Sequence, residues 1–193
     1  MRSITERMEE CQEKIQSEKF LSNSGLGNEV GFYIFDYEPK DELQVREAIL
    51  FMKRHLEKKN SNIKIQIFDL YEIMLDFFEK RGYMEKNFMI EEKKGSFDLY
   101  NRMRKALKIA TEQDIIVEYI QTHLDEEAIV FITGVGKVFP VLRSHVILNN
   151  LQMIVEKKPL VLFYPGTYEL NSLKLFDQFQ DDNYYRAFRM VER

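Results

Sequence analysis

This sequence is short of the residue types that most often announce a chemistry. One cysteine, Cys11, stands among 193 residues, so no internal disulfide can form. It lies in a charged helical stretch with no histidine nearby, which suits a spare thiol better than a nucleophile. The three histidines, His55, His123 and His145, share no metal-ligand spacing, and no cofactor is expected. No window approaches about 18 consecutive apolar residues, the length at which a membrane helix becomes a candidate. The opening MRSITERMEECQEKIQSEKF is polar and charged, unlike a signal peptide, so a cytoplasmic location is expected. A formal charge of −4 argues against wholesale wrapping of nucleic acid, whose affinity comes mainly from phosphate neutralisation.

What is present is ordinary for a globular protein, with 45% hydrophobic and 31% charged residues and no repeat or low-complexity tract. The length suits a single α/β domain over 1–193, with 1–28 as an N-terminal helix and linker. Ile4, Met8, Cys11 and Ile15 form one narrow apolar stripe, suited to docking on a larger body.

The most informative stretch runs from Ala128 to Leu151, AIVFITGVGKVFPVLRSHVILNNL. Ile129 to Ile132 is an unbroken apolar run typical of a strand buried on both faces. Thr133-Gly134-Val135-Gly136 then permits a sharp turn, and Pro140 is expected to open a helix, where its missing N–H costs nothing. Strand, glycine turn and helix start form the part of an open α/β sheet that most often faces a ligand. A phosphate loop needs glycine, four residues, then Gly-Lys-Ser/Thr. Here Val138 follows Gly136-Lys137, Phe131 stands where the first glycine belongs, and no third glycine completes a dinucleotide fingerprint. A tight strand-to-helix turn explains the segment without a ligand, and a nucleotide site at Gly134 to Lys137 is the alternative.

Around this centre, Phe32 to Phe35 reads as a second buried strand, followed by a helix carrying Val45, Ala48, Ile49, Met52 and Leu56 at helical spacing. Ile63 to Phe68 reads as a strand. Asp69 with Glu72 can cap the next helix, whose core face is Leu70, Ile73, Met74, Phe77 and Phe78. Tyr83 to Lys94 mixes charge with Phe88, Met89 and Ile90 and is expected to be a loop with a short element. Two helices follow, divided near Thr111 and Asp114. The strand Leu160 to Phe163 should end at Tyr164-Pro165-Gly166, since proline cannot donate to a ladder. Aromatics and arginines from Tyr184 to Val191 suit an edge strand. The alternation predicts a mainly parallel, Rossmann-like sheet of about five strands with helices on both faces.

Four constellations could carry chemistry or contact. Asp36 and Asp69 directly follow predicted strands and Glu38 lies two residues past Asp36, where acids can hold magnesium for phosphoryl chemistry. Helix capping explains the same acids without a metal. Past the glycine turn, His145, Asn149 and Gln152 share one helical face, and Arg143 and Asn150 form a second polar line; a ligand, a partner or neighbouring loops would each account for them. Lys93, Lys94, Arg102, Arg104, Lys105 and Lys108, with Phe97 and Tyr100, make the one basic cluster, which suits a solvated helix face better than a nucleic-acid contact. Tyr164, Tyr168, Tyr184, Tyr185 and Phe188 with Arg186 and Arg189 are the mixture enriched in protein interfaces.

The segments FYIFDYEPKDELQVREAI, IFDLYEI, ITGVGKVFPVLRSHVILNNLQ, PLVLFYPGTYELNSLKLF and NYYRAFRM together resemble the BrxB family of bacteriophage-exclusion (BREX) systems, from Phe32 to Met190. One departure is visible: after Tyr168 the family pattern has an acidic or amide residue and then glycine, whereas this chain has Glu169 and Leu170, so a different turn is expected. The resemblance implies a small cytoplasmic component of a multi-protein antiphage system whose companions include an alkaline-phosphatase-like PglZ protein, a DNA methyltransferase and a large ATPase. It implies no established catalytic motif, in keeping with the incomplete phosphate-loop and dinucleotide patterns at Gly134 to Lys137. The expectation is a non-enzymatic adaptor that binds a PglZ-like partner through Gly134, Gly136, Lys137, Arg143, His145, Asn149, Asn150, Tyr164, Tyr168, Tyr184, Tyr185 and Arg186. The rival is a nucleotide- or metal-binding enzyme module using Asp36, Glu38, Asp69 and the glycine turn.

Overall fold

The computed structural model describes residues 2–22, 31–143, 146, 151, 158–181 and 187–193. Helix α1 (Ile4–Ile15) starts at a reciprocal cap: the Glu6 amide donates to the Ser3 hydroxyl and the Ser3 amide to the Glu6 carboxylate. Met8, Cys11 and Ile15 are buried as the stripe requires, and so is Arg7. After α2 (Glu18–Leu21) comes β1 (Phe32–Tyr37), buried at every residue. A 3₁₀ turn over Pro39–Asp41 leads into α3 (Glu42–Lys59), which buries Val45, Ile49, Met52 and Leu56. Then follow β2 (Ile65–Asp69), α4 (Leu70–Lys80), α5 (Met84–Lys94), α6 (Ser96–Ala106), α7 (Ile115–His123) and β3 (Ile129–Thr133). The single-turn α8 (Val135–Val138), β4 (Leu160–Glu169), β5 (Ser172–Leu175), β6 (Phe179–Asp181) and β7 (Phe188–Arg189) complete the described elements.

Five strands lie parallel in the order β2-β3-β4-β1-β7, and β5 and β6 extend β4 as an antiparallel meander. Strand alternation sends Ile34, Val130, Ile132, Leu160 and Leu162 to one face, where α4 contributes Ile73, Met74 and Phe78 and α7 contributes Ile116 and Ile120. Tyr33, Phe35, Phe131, Val161 and Phe163 face the other way, under α1 and α3. From β1 to β2 the chain crosses the sheet one way, and through β3 to β4 it steps back. Right-handed connections running in opposite directions must use opposite faces, which is where α3 and the pair α4/α7 sit. Phe131 and Phe163 meet edge-on, ring centroids 5.1 Å apart, each fully buried and worth about 1.5–3 kcal/mol of apolar transfer.

Three expectations need correcting. The residues from Met84 to Lys94 form helix α5 and not a loop with a short element; it has no fully buried side chain, and only Met84, Asn87 and Ile90 are partly covered, so its apolar face is faint. Helix α8 begins at Val135, directly after Gly134, and Pro140 opens no helix: it lies in a turn behind a cis Phe139-Pro140 bond. Strand β4 does not stop at Tyr164-Pro165-Gly166 but runs to Glu169. Pro165 is the last residue in register with β1, opposite Tyr37, and Gly166 is the first opposite β5, so the pair marks a change of neighbour within one strand. Gly166 has φ 152°, and a Cβ there would stand 2.1 Å from the Lys174 carbonyl oxygen, so the hairpin closes only over glycine.

The edge strand near the C-terminus is present as β7, paired parallel to β1. Asp114 divides α6 from α7 by accepting from the Ile116 and Val117 amides.

Candidate functional site

The carboxyl ends of the parallel strands hold two charge centres, both built from residues of this chain. At the end of β1, Asp36 is fully buried beside three arginines. Arg7 Nη2 donates to Asp36 Oδ1 at 3.2 Å, and Arg193 Nε and Arg189 Nη2 stand 3.4 and 3.8 Å from Oδ2. The Tyr168 amide also donates to Oδ2, at 3.1 Å. The arginines in turn satisfy backbone: Arg7 donates to the Val191 and Glu192 carbonyls, Arg189 to Tyr168, and Arg193 to Gly166. Burial pushes the Arg7 pKa down, and the adjacent Asp36 carboxylate opposes that shift. The centre therefore joins α1, β1, the β4 hairpin and the C-terminal segment.

At the ends of β2 and β3, Asp69 Oδ1 accepts from the Tyr71 and Glu72 amides and caps α4. Its Oδ2 accepts from Lys137 Nζ at 2.8 Å. Glu72, expected to return a bond at the cap, stands instead 3.6 Å from Lys137 Nζ, which also lies over the Tyr71 ring. The glycine turn accommodates this contact. Gly134 has φ +76°, and a Cβ on it would stand 2.4 Å from Asp69 Oδ1; a Cβ on Gly136 would stand 2.8 Å from Phe176. Close approach is what these glycines provide, and what approaches is this chain's own Asp69 and Phe176.

The sequence-nominated residues therefore do not form one site. Asp36, Asp69, Gly134, Gly136 and Lys137 lie at the strand ends. Glu38 is apart from them, paired with Lys40 at 2.6 Å, and among the described residues no group of three or more His, Cys, Asp or Glu side chains is placed to hold a metal ion. Tyr164 and Tyr168 are buried, Tyr168 donating from its hydroxyl to the Ala187 carbonyl at 2.7 Å. Arg143 is exposed on the loop after α8. His145, Asn149, Asn150, Gln152, Tyr184, Tyr185 and Arg186 lie outside the described residues. In the basic cluster, Arg104 donates to the Pro140 and Val141 carbonyls and pins α6 to the turn before Arg143.

The residues that sequence reasoning misses are Arg7, Arg189 and Arg193 as partners of Asp36. Only Arg7 leaves a readable trace. It is three residues past Ile4 and four before Cys11, so it shares their helical face, where a charge needs a buried partner.

Fold and strand-end chemistry together define an open parallel α/β protein whose strand-tip acids are occupied by its own cations and helix amides. Comparison with protein families matches residues 66–190 to the family described as BREX protein BrxB. The chain is 51% identical over 193 residues to a BREX protein BrxB of Bacillus cereus, covering all of both chains. It is 37% identical over 187 residues to a BREX protein BrxB of Escherichia coli, covering 96% of this chain and 90% of that one. No solved structure matches. The chain belongs to the BrxB family. It is thus a BREX component, which implies a part in antiphage defence. Among the described residues no helix is long and apolar enough to cross a membrane.

Proposed function

We propose that this chain is a non-enzymatic adaptor of a BREX complex and that it binds a PglZ-like protein. The observation that carries the reading is α5, an eleven-residue helix that buries none of its side chains and leaves Phe88 and Met89 about half exposed. A helix this short, held to the core by little more than partly buried Met84, is marginal in water, so a partner that covers Phe88 and Met89 would stabilise it. Because Arg104 ties the α5/α6 hairpin to the Pro140–Val141 turn, that helix and exposed Arg143 serve as one contact side; His145, Asn149 and Asn150, which lie outside the described residues, belong to the same proposal on their sequence alone. The occupied strand-tip acids support the absence of chemistry at the glycine turn.

The test is co-purification of the tagged chain with a co-expressed PglZ-like protein. Arg143→Ala, His145→Ala and Phe88→Glu should each reduce the recovered partner while leaving the circular dichroism of the chain unchanged. Full recovery in all three variants rules this contact side out. Titration with ATP or GTP and magnesium should give no saturable heat; a saturable signal favours the nucleotide-binding alternative.

A further inference from the structure

Strand β2 is the outer strand of the parallel sheet, paired with β3 on one side and with no strand on the other among the described residues. The ladder determines which of its backbone groups face outward. The Ile129 amide donates to the Lys64 carbonyl, so even-numbered residues of β2 point their N–H and C=O toward β3 and odd-numbered ones point away. At Ile65 the outward pair is capped within the chain: Glu57 Oε1 accepts from the amide at 2.9 Å and Lys53 Nζ donates to the carbonyl. Among the described contacts Ile67 has no such cap. It lines a groove of about 680 Å³ between α4 and α7. One wall carries Glu72, Asp76 and Glu79, successive along α4, and the other carries the stacked rings of Tyr119 and His123. Lys80 pairs with Asp76, and Lys137 lies between Asp69 and Glu72, which leaves the wall with acid in excess.

We propose that an extended, lysine- or arginine-bearing segment of a partner protein adds to β2 as an outer strand at Ile67 and lays its basic side chains along the Glu72–Glu79 wall. Strand addition is a general mode of peptide recognition, in which main-chain bonds give affinity and alternate side chains give specificity. The spacing suits it, since alternate strand residues lie about 6.7 Å apart and helix residues four apart about 6 Å. Charge complementarity selects a basic segment over an acidic one. The site does not rest on the adaptor assignment, whose residues it does not share.

The probe is a blocked eight-residue peptide alternating lysine and valine, added to the intact chain and followed by fluorescence anisotropy. Saturable binding that weakens with salt is expected, with an alternating glutamate–valine peptide silent. Ile67→Pro removes the outward N–H while sparing the ladder to β3 and should weaken binding at least tenfold, as should Glu72→Lys combined with Glu79→Lys. A lysine–valine peptide N-methylated at alternate residues keeps the charge but cannot pair, and it should also bind at least tenfold more weakly, independently of any folding defect in the variants. Equal binding of the N-methylated peptide, absence of saturable binding, or a dimer of the chain itself that Ile67→Pro dissolves would each overturn the proposal.

Discussion

Lys137 reaches back from the turn after β3 to Asp69 at the end of β2, Nζ to Oδ2 at 2.8 Å, and so occupies the acid that these two carboxyl strand ends present. The pair is roughly a quarter exposed on both sides, so solvent screens it and its worth is modest. Lys137→Ala should lower stability by only about 1 kcal/mol. Asp69→Ala should cost about 1 kcal/mol more, because it also removes the α4 cap. Urea unfolding of both variants measures the difference, and equal losses would show that the cap contributes nothing.

Gly134→Ala tests the closeness of the same turn. The backbone there is left-handed, which costs an L-residue about 1–2 kcal/mol, and the new methyl group would also collide with Asp69 Oδ1. In an Asp69→Ala background the collision is gone and only the backbone cost remains. The double variant should therefore be more stable than the summed losses predict, and strict additivity would mean that the two residues do not touch.

Asp36 is a buried carboxylate surrounded by cations, so its removal leaves charges without an acceptor. Asp36→Asn should destabilise the chain by about 3–5 kcal/mol, with Arg7→Met in the same range. Replacing both members, Asp36→Leu with Arg7→Met, should cost less than the two single losses combined. A urea midpoint for Asp36→Asn within error of the parent would remove this centre from any structural role.

The alternation of apolar runs with helical spacing places β1 to β4 and, of the helices between them, α3, α4, α6 and α7, because both periodicities are local properties of the chain. The capping role of Asp69 is legible for the same reason: it needs only the residues that follow. The arginine cluster is not legible, since Arg7 lies 29 residues before Asp36 and the other two arginines come from the far end of the chain. Only the strand order brings β7 beside β1 and delivers them. Helix α5 escapes notice because a helix with no fully buried side chain carries only a faint amphipathic signature. Pro165 misleads because proline marks strand ends or exchanges of neighbour alike, and the local sequence does not distinguish them.

Cys11 is fully buried on the face of α1 that meets the sheet, and burial pushes its thiol pKa up to about 12. Only the thiolate reacts, so the native chain should resist a thiol reagent at pH 8 and react promptly in urea. Modification in the folded state at the rate of a free thiol would mean that α1 detaches readily.

The turn joining β4 to β5 carries a measurable strain. Glu169 and Ser172 are paired, so Leu170 and Asn171 alone make the connection, both with positive φ, 49° and 63°. Such a two-residue turn follows the right-handed twist of the strands and is most comfortable with asparagine followed by glycine. Leucine pays the full crowding of its Cβ against the following carbonyl, and at 97% exposure its side chain returns no packing within the chain. Leu170→Asn should therefore raise stability by about 0.5–1 kcal/mol, whereas Asn171→Gly should add no such gain, because Asn171 Oδ1 lies 3.0 Å from the Tyr168 hydroxyl and that contact would be lost. A higher urea midpoint at unchanged slope is the expected reading. A lower one would mean that Leu170 makes a stabilising contact in the free chain, and then its exposure in the hairpin could not be the whole account.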